Sequence, residues 1–125
     1  MTQKLIWLAL AGGAGTLARY GLVGFVQKMN NASFPWGTLV VNFLGCFVAG
    51  LLWTLFETRL PVSHEIKLLV LVGFMGAFTT FSAFILETGQ LAKSLDMTYA
   101  VANILLQNVL GLLALIAGIG LGRAV

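Results

Sequence analysis

Charge is scarce in this sequence. Only 9% of its 125 residues are charged, whereas hydrophobic residues make up 59%. A soluble domain carries about 25% charged residues, and the helices of a soluble bundle need charged outer faces that this chain lacks. The shortfall therefore predicts an integral membrane protein that folds in the lipid bilayer as one domain over residues 1–125.

Reactive and basic groups are also few. The seven Lys and Arg stand singly and the net charge is only +3, which argues against a nucleic-acid partner. Cys46 is the only cysteine, so no intrachain disulfide can form. Its apolar surroundings favour a packing role.

The single histidine, His64, is expected to be solvated in a loop. These residues supply no catalytic triad, metal cluster or phosphate loop, so the chain is predicted not to be an enzyme.

Four apolar runs are separated by short polar joints. Each run is close to the ~20 residues that a helix needs to cross the hydrocarbon core of a bilayer. The approximate transmembrane helices are 5–26, 36–56, 66–86 and 98–121. The first run extends past any cleavage distance and contains Arg19, so we expect a retained helix rather than a signal peptide. Because the joints are short, consecutive helices are expected to be antiparallel neighbours.

Acidic residues are missing from the interiors of these runs. Glu57, Glu65 and Glu87 are all expected at helix ends. Proton-coupled exporters typically need a buried carboxylate that titrates. The main alternative function, a small multidrug or guanidinium exporter, uses a Glu in its first helix, where this chain carries Arg19 instead. An accessory membrane subunit is a third interpretation.

The basic residues give little indication of orientation. Four of them (Lys4, Arg59, Lys67 and Arg123) would lie on one side of the membrane and three (Arg19, Lys28 and Lys93) on the other. Since Lys and Arg normally collect on the cytoplasmic side, this weak bias leaves both a single orientation and an antiparallel dimer open. The spacing of Gly118 with Gly122, and of Gly45 with Ala49, favours close helix packing within or between subunits.

The third run has an unusual composition for the middle of a membrane helix. Gly73 and Gly76 weaken the helix, and the β-branched pair Thr79–Thr80 follows them. Irregular backbone at membrane depth survives only when it is buried in protein or lines a cavity. Composition alone favours an intact helix whose Thr hydroxyls bond to its own carbonyls.

Polar side chains in the second and fourth runs also have two interpretations. Asn42 lies one turn after Thr38, and Asn103 lies one turn before Gln107, with Asn108 adjacent. Such side chains either hold helices together or mark a polar pathway through the protein.

Arg19 and two phenylalanines could act on an anion. Arg19 either extends toward the nearer interface or attracts anions into a vestibule. Phe81 and Phe84 are spaced i, i+3 and so lie on one side of a helix. Their rings either pack against neighbours or present positive edges to a small anion.

Three motifs together resemble the Fluc (CrcB) family of fluoride channels. They are residues 37–42 (GTLVVN), residues 76–84 (GAFTTFSAF) and residues 12–15 (GGAG) followed by Arg19. The resemblance covers essentially the whole chain, and residues 76–84 are its most specific part.

The resemblance implies an all-α channel for passive export of fluoride across the bacterial cytoplasmic (inner) membrane. Family members are antiparallel, dual-topology homodimers with two pores, and their third helix is broken mid-membrane. The implied pore residues are Phe81, Phe84, Asn42, Thr38, Thr80, Ser82 and Asn108. Among them, Asn42 resembles a side chain that donates to fluoride. Backbone carbonyls of Gly76 and Thr79 from both subunits would hold a structural Na+, and Arg19 would lie at the pore mouth.

The sequence departs from this family in two places. Ile85 stands where many members have Ser, and no Ser or Thr follows Thr98 in the fourth helix. Ile104, Leu112 and Ile116 are apolar where a polar track is expected. The resemblance therefore does not define the fluoride path along the fourth helix.

Overall fold

The computed structural model describes residues 2–30, 32–94 and 96–125, and all regular structure within them is helical. The elements in chain order are α1 (Thr2–Asn30), α2 (Trp36–Thr58), α3 (His64–Lys67), a π-helical segment (Leu68–Met75), α4 (Gly76–Phe78), α5 (Phe81–Lys93) and α6 (Met97–Ala124).

Four helical stretches are long and apolar enough to cross a membrane. They are Thr2–Asn30, Trp36–Thr58, His64–Lys93 and Met97–Ala124. The prediction of an all-helical chain with four helices capable of spanning a membrane is confirmed. The third stretch runs from α3 through α5.

The prediction that Glu87 lies at a helix end is wrong. Glu87 is the middle residue of α5, which continues to Lys93. The helix continues because Leu91 is buried on its inner side, one turn after Glu87, while Gln90 and Lys93 are exposed. A polar residue at the end of an apolar run therefore did not mark the end of the helix.

Side-chain caps define where three of the helices begin. Ser63 Oγ accepts a hydrogen bond from the Ile66 amide at 3.3 Å, before α3. Thr80 Oγ1 accepts from the Ala83 amide at 3.2 Å, before α5. Asp96 is the N-cap of α6 and accepts from an amide of its first turn. Each cap satisfies an amide that has no partner within its own helix.

Glycines allow α2 and α6 to pack closely. A Cβ atom at Gly50 would lie 2.5 Å from the Leu115 carbonyl oxygen, and one at Gly118 would overlap the Phe47 carbonyl oxygen. A Cβ at Gly122 would lie 2.8 Å from Thr54 Cβ. The Gly118–Gly122 pair thus lies in a helix contact within the chain, as small residues at this spacing permit.

The interior of the protein is partly polar. Of its three most deeply buried large side chains, Val41 and Asn103 are 0% exposed and Thr38 is 2% exposed, so two of the three are polar. Exposed Leu, Ile, Phe and Trp side chains cover much of the outer surface. Polar groups inside an apolar exterior are typical of a membrane protein that encloses a site.

Replacing Gly118 tests the contact between α2 and α6. Gly118→Ala should destabilise the protein by roughly 1–3 kcal/mol, because its Cβ would meet backbone that cannot move easily. Thermal unfolding in detergent measures the effect. Gly120→Ala is the matched control, since a Cβ there meets nothing within 4 Å. Equal stability of the two variants would contradict this packing.

Candidate functional site

The third membrane-spanning stretch is interrupted near its middle. Helix α4 ends at Phe78, and Thr79 and Thr80 are extended, with φ, ψ of −82°, 159° and −150°, 119°. Helix α5 then begins at Phe81. An interruption of this kind removes helical partners from several backbone amides and carbonyls, which must find others.

Asn42 provides two of those partners. Its Oδ1 accepts a hydrogen bond from the Thr80 amide at 2.8 Å, and its Nδ2 donates to the Thr80 carbonyl oxygen at 2.9 Å. Nδ2 also donates to Gln107 Oε1 at 3.0 Å. One side chain on α2 thereby fixes the extended backbone of Thr80, and both N–H groups of its amide are engaged.

Thr79 is held on the opposite side of the interruption. Its hydroxyl donates to the Met75 carbonyl oxygen at 3.0 Å, and its Cγ2 atom packs where a Cβ at Gly45 would be. Gly45 is therefore required for the close approach of Thr79 to α2.

A cavity of about 380 Å³ lies beside the interruption. It brings together seven of the residues that the sequence assigned to fluoride or sodium. They are Asn42, Gly76, Thr79, Thr80, Phe81, Phe84 and Asn108. We call it the Phe cavity. Asn42, Gln107 and Asn108 contribute amides to its lining, and no carboxylate lines it among the described residues.

Phe81 and Phe84 meet edge to face in this cavity. Their ring centroids are 5.5 Å apart and their planes are inclined by 69°. Phe84 is only 4% exposed, whereas Phe81 is 72% exposed on the surface of the single chain. The edge of an aromatic ring carries partial positive charge, so this pair can face an anion.

A second cavity, of about 470 Å³, contains the other predicted residues. Thr38, Ser82 and Arg19 line it together with Glu87, and Thr80 lines both cavities. Thr38 donates from Oγ1 to Glu87 Oε1 at 2.6 Å, whereas Glu87 Oε2 is buried without a partner among the described residues.

Asn103 and Asn108 differ in their surroundings although both lie on α6. Asn103 Nδ2 donates to Thr88 Oγ1 at 2.9 Å and so connects α6 to α5. Asn108 is exposed and donates to the carbonyl oxygen of Ile104 in its own helix at 2.7 Å. Of the two interpretations of these amides, Asn103 therefore serves as a contact between helices.

Sequence reasoning did not include two residues of this region among the site residues. Gln107 lines the Phe cavity, and Glu87 lines the second cavity. The spacing of Gln107 with Asn103 had marked a polar face on α6, which was a usable signal. Glu87 was missed because it was expected at a helix end.

The backbone near the interruption suits a small hard cation. In a continuous helix the Gly76 and Thr79 carbonyls would accept from the Thr80 and Ala83 amides. Here the Thr80 amide donates to Asn42, and the Ala83 amide donates to Thr80 Oγ1. Both carbonyls therefore lose their helical donors, and both residues line the Phe cavity. These are the carbonyls that the resemblance assigned to sodium, and carbonyl oxygens are suitable ligands for hard cations.

Comparison with known proteins finds a matching family and relatives that align with this chain from end to end. The family described as "CrcB-like protein, Camphor Resistance (CrcB)" matches residues 6–119. A protein of Desulforapulum autotrophicum named "Fluoride-specific ion channel FluC" is 63% identical over 125 residues, which cover all of both chains. Proteins with the same name from Nitrosococcus oceani and Solidesulfovibrio magneticus are each 50% identical, again over the full length of both chains.

Replacing Asn42 tests its contact with the interruption. Asn42→Leu should strongly destabilise the protein, because it leaves the buried Thr80 amide and carbonyl without partners, at roughly 1–3 kcal/mol for each group. Thermal unfolding in detergent measures the loss. Asn30→Leu is the control, since the amide of Asn30 is exposed and bonds only to the Val26 carbonyl of its own helix. A loss no larger for Asn42→Leu than for Asn30→Leu would contradict the assignment.

Proposed function

The chain belongs to the CrcB family, and from this membership and the geometry of the site we propose that it is a fluoride-selective channel. Fluoride would leave the cytoplasm passively, down its gradient, which limits its toxicity. The relatives' names support fluoride as the ion. The protein is a channel and not an enzyme. The bacterial cytoplasmic membrane is the location that such a role requires.

The observation that carries this proposal is the lining of the Phe cavity. Amide groups, a threonine hydroxyl and the edge-to-face pair Phe81–Phe84 surround it, and no carboxylate among the described residues does. A fluoride ion entering a membrane must exchange its hydration shell for donors of this kind. A bare carboxylate would repel it; in the second cavity Glu87 accepts a hydrogen bond from Thr38 and shares the lining with the positively charged Arg19.

The proposed path joins the two cavities through Thr80, which lines both. The Phe cavity contributes Phe81, Phe84, Asn42 and Asn108 to the path. The second cavity contributes Thr38 and Ser82. Arg19 is half-buried at the second cavity, where its positive charge would attract anions toward the pore mouth.

The proposed assembly is an antiparallel homodimer of dual topology. Gly76, Ser82 and Asn108 are exposed although they lie near the middles of two membrane-spanning stretches. Lipid offers such groups no hydrogen-bond partner, so a second subunit covering this face would stabilise them. The nearly balanced basic residues at the two ends of the helices permit both orientations in one membrane.

A structural sodium ion at the dimer interface is the proposed cofactor. One chain offers the Gly76 and Thr79 carbonyls, which have lost their helical donors, and hard cations take several oxygen ligands. Two chains would supply four such carbonyls around one ion. The interruption of the third stretch, placed mid-membrane in this arrangement, would then be stabilised by the ion as well as by Asn42.

A proton-coupled cation exporter is not favoured. Its acidic residue belongs in the first helix, and the sequence from 2 to 30 contains no Asp or Glu. Among the described residues of the four membrane-spanning stretches, the half-buried carboxylate is Glu87 in the third stretch, where Thr38 donates to it.

Fluoride efflux from liposomes holding the purified protein tests the proposed function. We expect rapid fluoride efflux and little chloride efflux, because the donors of the Phe cavity suit the smaller anion. The absence of fluoride efflux from protein shown to be folded would exclude the channel.

The same assay tests the two phenylalanines. Phe81→Ile and Phe84→Ile should reduce fluoride efflux strongly, because an aliphatic side chain has no positively charged ring edge. Phe25→Ile is the control, since Phe25 is 65% exposed on α1 and lies outside both cavities. Wild-type efflux in both cavity variants would remove these residues from the path.

Sodium dependence of stability tests the cation site. Sodium should raise the thermal unfolding temperature relative to N-methylglucamine at equal ionic strength, because an ion bound only by the folded dimer stabilises it by mass action. Identical unfolding temperatures in the two cations would contradict the site.

A further inference from the structure

Two buried amide atoms on α6 lack hydrogen-bond partners among the described residues. They are Oδ1 of Asn103, a residue that is 0% exposed, and Nε2 of Gln107, which is 8% exposed. Buried polar side-chain atoms in folded proteins nearly always have partners. One of these atoms is an acceptor and the other a donor, and side chains four residues apart on a helix are neighbours. Each atom is therefore the partner that the other lacks.

The orientation of the Gln107 amide follows from the backbone of Thr80. The Thr80 amide can only donate, so the Asn42 atom that lies 2.8 Å from it is oxygen. The other end of the Asn42 amide is then nitrogen, and it lies 3.0 Å from Gln107. The Gln107 atom at that contact is therefore oxygen, which leaves its nitrogen as the free end of the amide.

The orientation of the Asn103 amide follows from the backbone of Phe84. The Phe84 carbonyl can only accept, and the Thr88 hydroxyl donates to it at 2.8 Å. A hydroxyl has one proton, so Thr88 Oγ1 must accept at its 2.9 Å contact with Asn103, and the Asn103 atom there is nitrogen. The oxygen of Asn103 is then the free end of its amide.

We propose that Gln107 Nε2 donates to Asn103 Oδ1 and so completes an unbroken hydrogen-bond chain between two backbone groups. The hydrogen-bond chain starts at the Thr80 amide, ends at the Phe84 carbonyl, and passes in order through Asn42, Gln107, Asn103 and Thr88. Its first group can only donate and its last can only accept, so every donor between them points the same way. Hydrogen bonds aligned in this manner strengthen one another.

This hydrogen-bond chain connects the interruption of the third stretch to the segment of α5 that carries Phe84. The functional part of the inference rests on the proposed fluoride channel. Neither Asn103 nor Thr88 lines the Phe cavity or the second cavity. Both are therefore positioning residues, which hold Phe84 against α6 while its ring meets that of Phe81.

Side-chain amide NMR tests the bond between Gln107 and Asn103. In protein labelled with ¹⁵N at the glutamine side chains, one Gln107 amide proton should lie downfield, and Asn103→Leu should move it upfield. Gln107→Met identifies the signal, and the exposed Gln90 is the internal control. A Gln107 signal that Asn103→Leu leaves unmoved would overturn the bond. If that variant fails to fold, the wild-type spectrum decides, because two Gln107 protons at the shifts of a free amide would also contradict it.

Fluoride efflux tests the positioning role. Thr88→Val keeps the shape of the side chain and removes its hydroxyl, so it should lower efflux roughly two- to tenfold, the factor that corresponds to one net hydrogen bond. It should also change the half-saturating fluoride concentration, which a loss of folded protein alone would not alter. Thr88→Ser keeps the hydroxyl and should retain efflux. Thr54→Val is the matched control, since Thr54 is 5% exposed and its hydroxyl donates to Gly50 of its own helix.

The outcomes separate this inference from the proposed function. Wild-type efflux and half-saturation in Thr88→Val, or equal losses in Thr88→Val and Thr54→Val, would overturn the positioning role and leave the channel intact. Absence of fluoride efflux in the wild-type protein would instead remove the proposed function. The NMR test of the bond does not depend on fluoride transport, so its result stands in either case.

Discussion

The backbone of Thr80 needs hydrogen-bond partners in the middle of a membrane-spanning stretch, and the rest of the site depends on how that need is met. Within a bilayer an interrupted helix must find partners for its amides and carbonyls inside the protein. Asn42 provides both partners: its side-chain oxygen accepts from the Thr80 amide, and its side-chain nitrogen donates to the Thr80 carbonyl. The extended conformation at Thr79 and Thr80 then sets where α5 begins, and so where Phe81 and Phe84 lie.

Close helix packing makes this contact possible. Gly50 and Gly118 bring α2 and α6 together, and the same approach places Asn42 of α2 within 3.0 Å of Gln107 of α6. Gly45 lets Thr79 reach α2 at the same level. A larger residue at any of these glycines would separate the helices whose polar groups form the cavity. These glycines therefore affect the site by setting the distances between its helices, although none of them contributes a polar side chain to the cavity.

The two cavities have different electrostatic character although they share Thr80. The Phe cavity has amides and aromatic edges, whereas the second cavity contains both Glu87 and Arg19. Thr38 donates to Glu87 and partly compensates the carboxylate. Keeping the negative charge out of the Phe cavity leaves its donors available to an anion, which any anion pathway requires.

The sequence by itself determined that the chain spans a membrane four times, because bilayer thickness and the cost of buried charge leave few other uses for such composition. It also identified the family, which the comparisons confirm. Composition favoured an intact helix at Thr79–Thr80, since glycine and threonine propensities differ from alanine by only about 1 kcal/mol or less. The extended backbone there depends on Asn42, a partner 38 residues away. Tertiary structure alone placed Glu87 inside a helix against Thr38, and it alone decided which atom of Gln107 faces Asn42. Those outcomes depend on contacts between helices, and a pattern along one helix does not contain them.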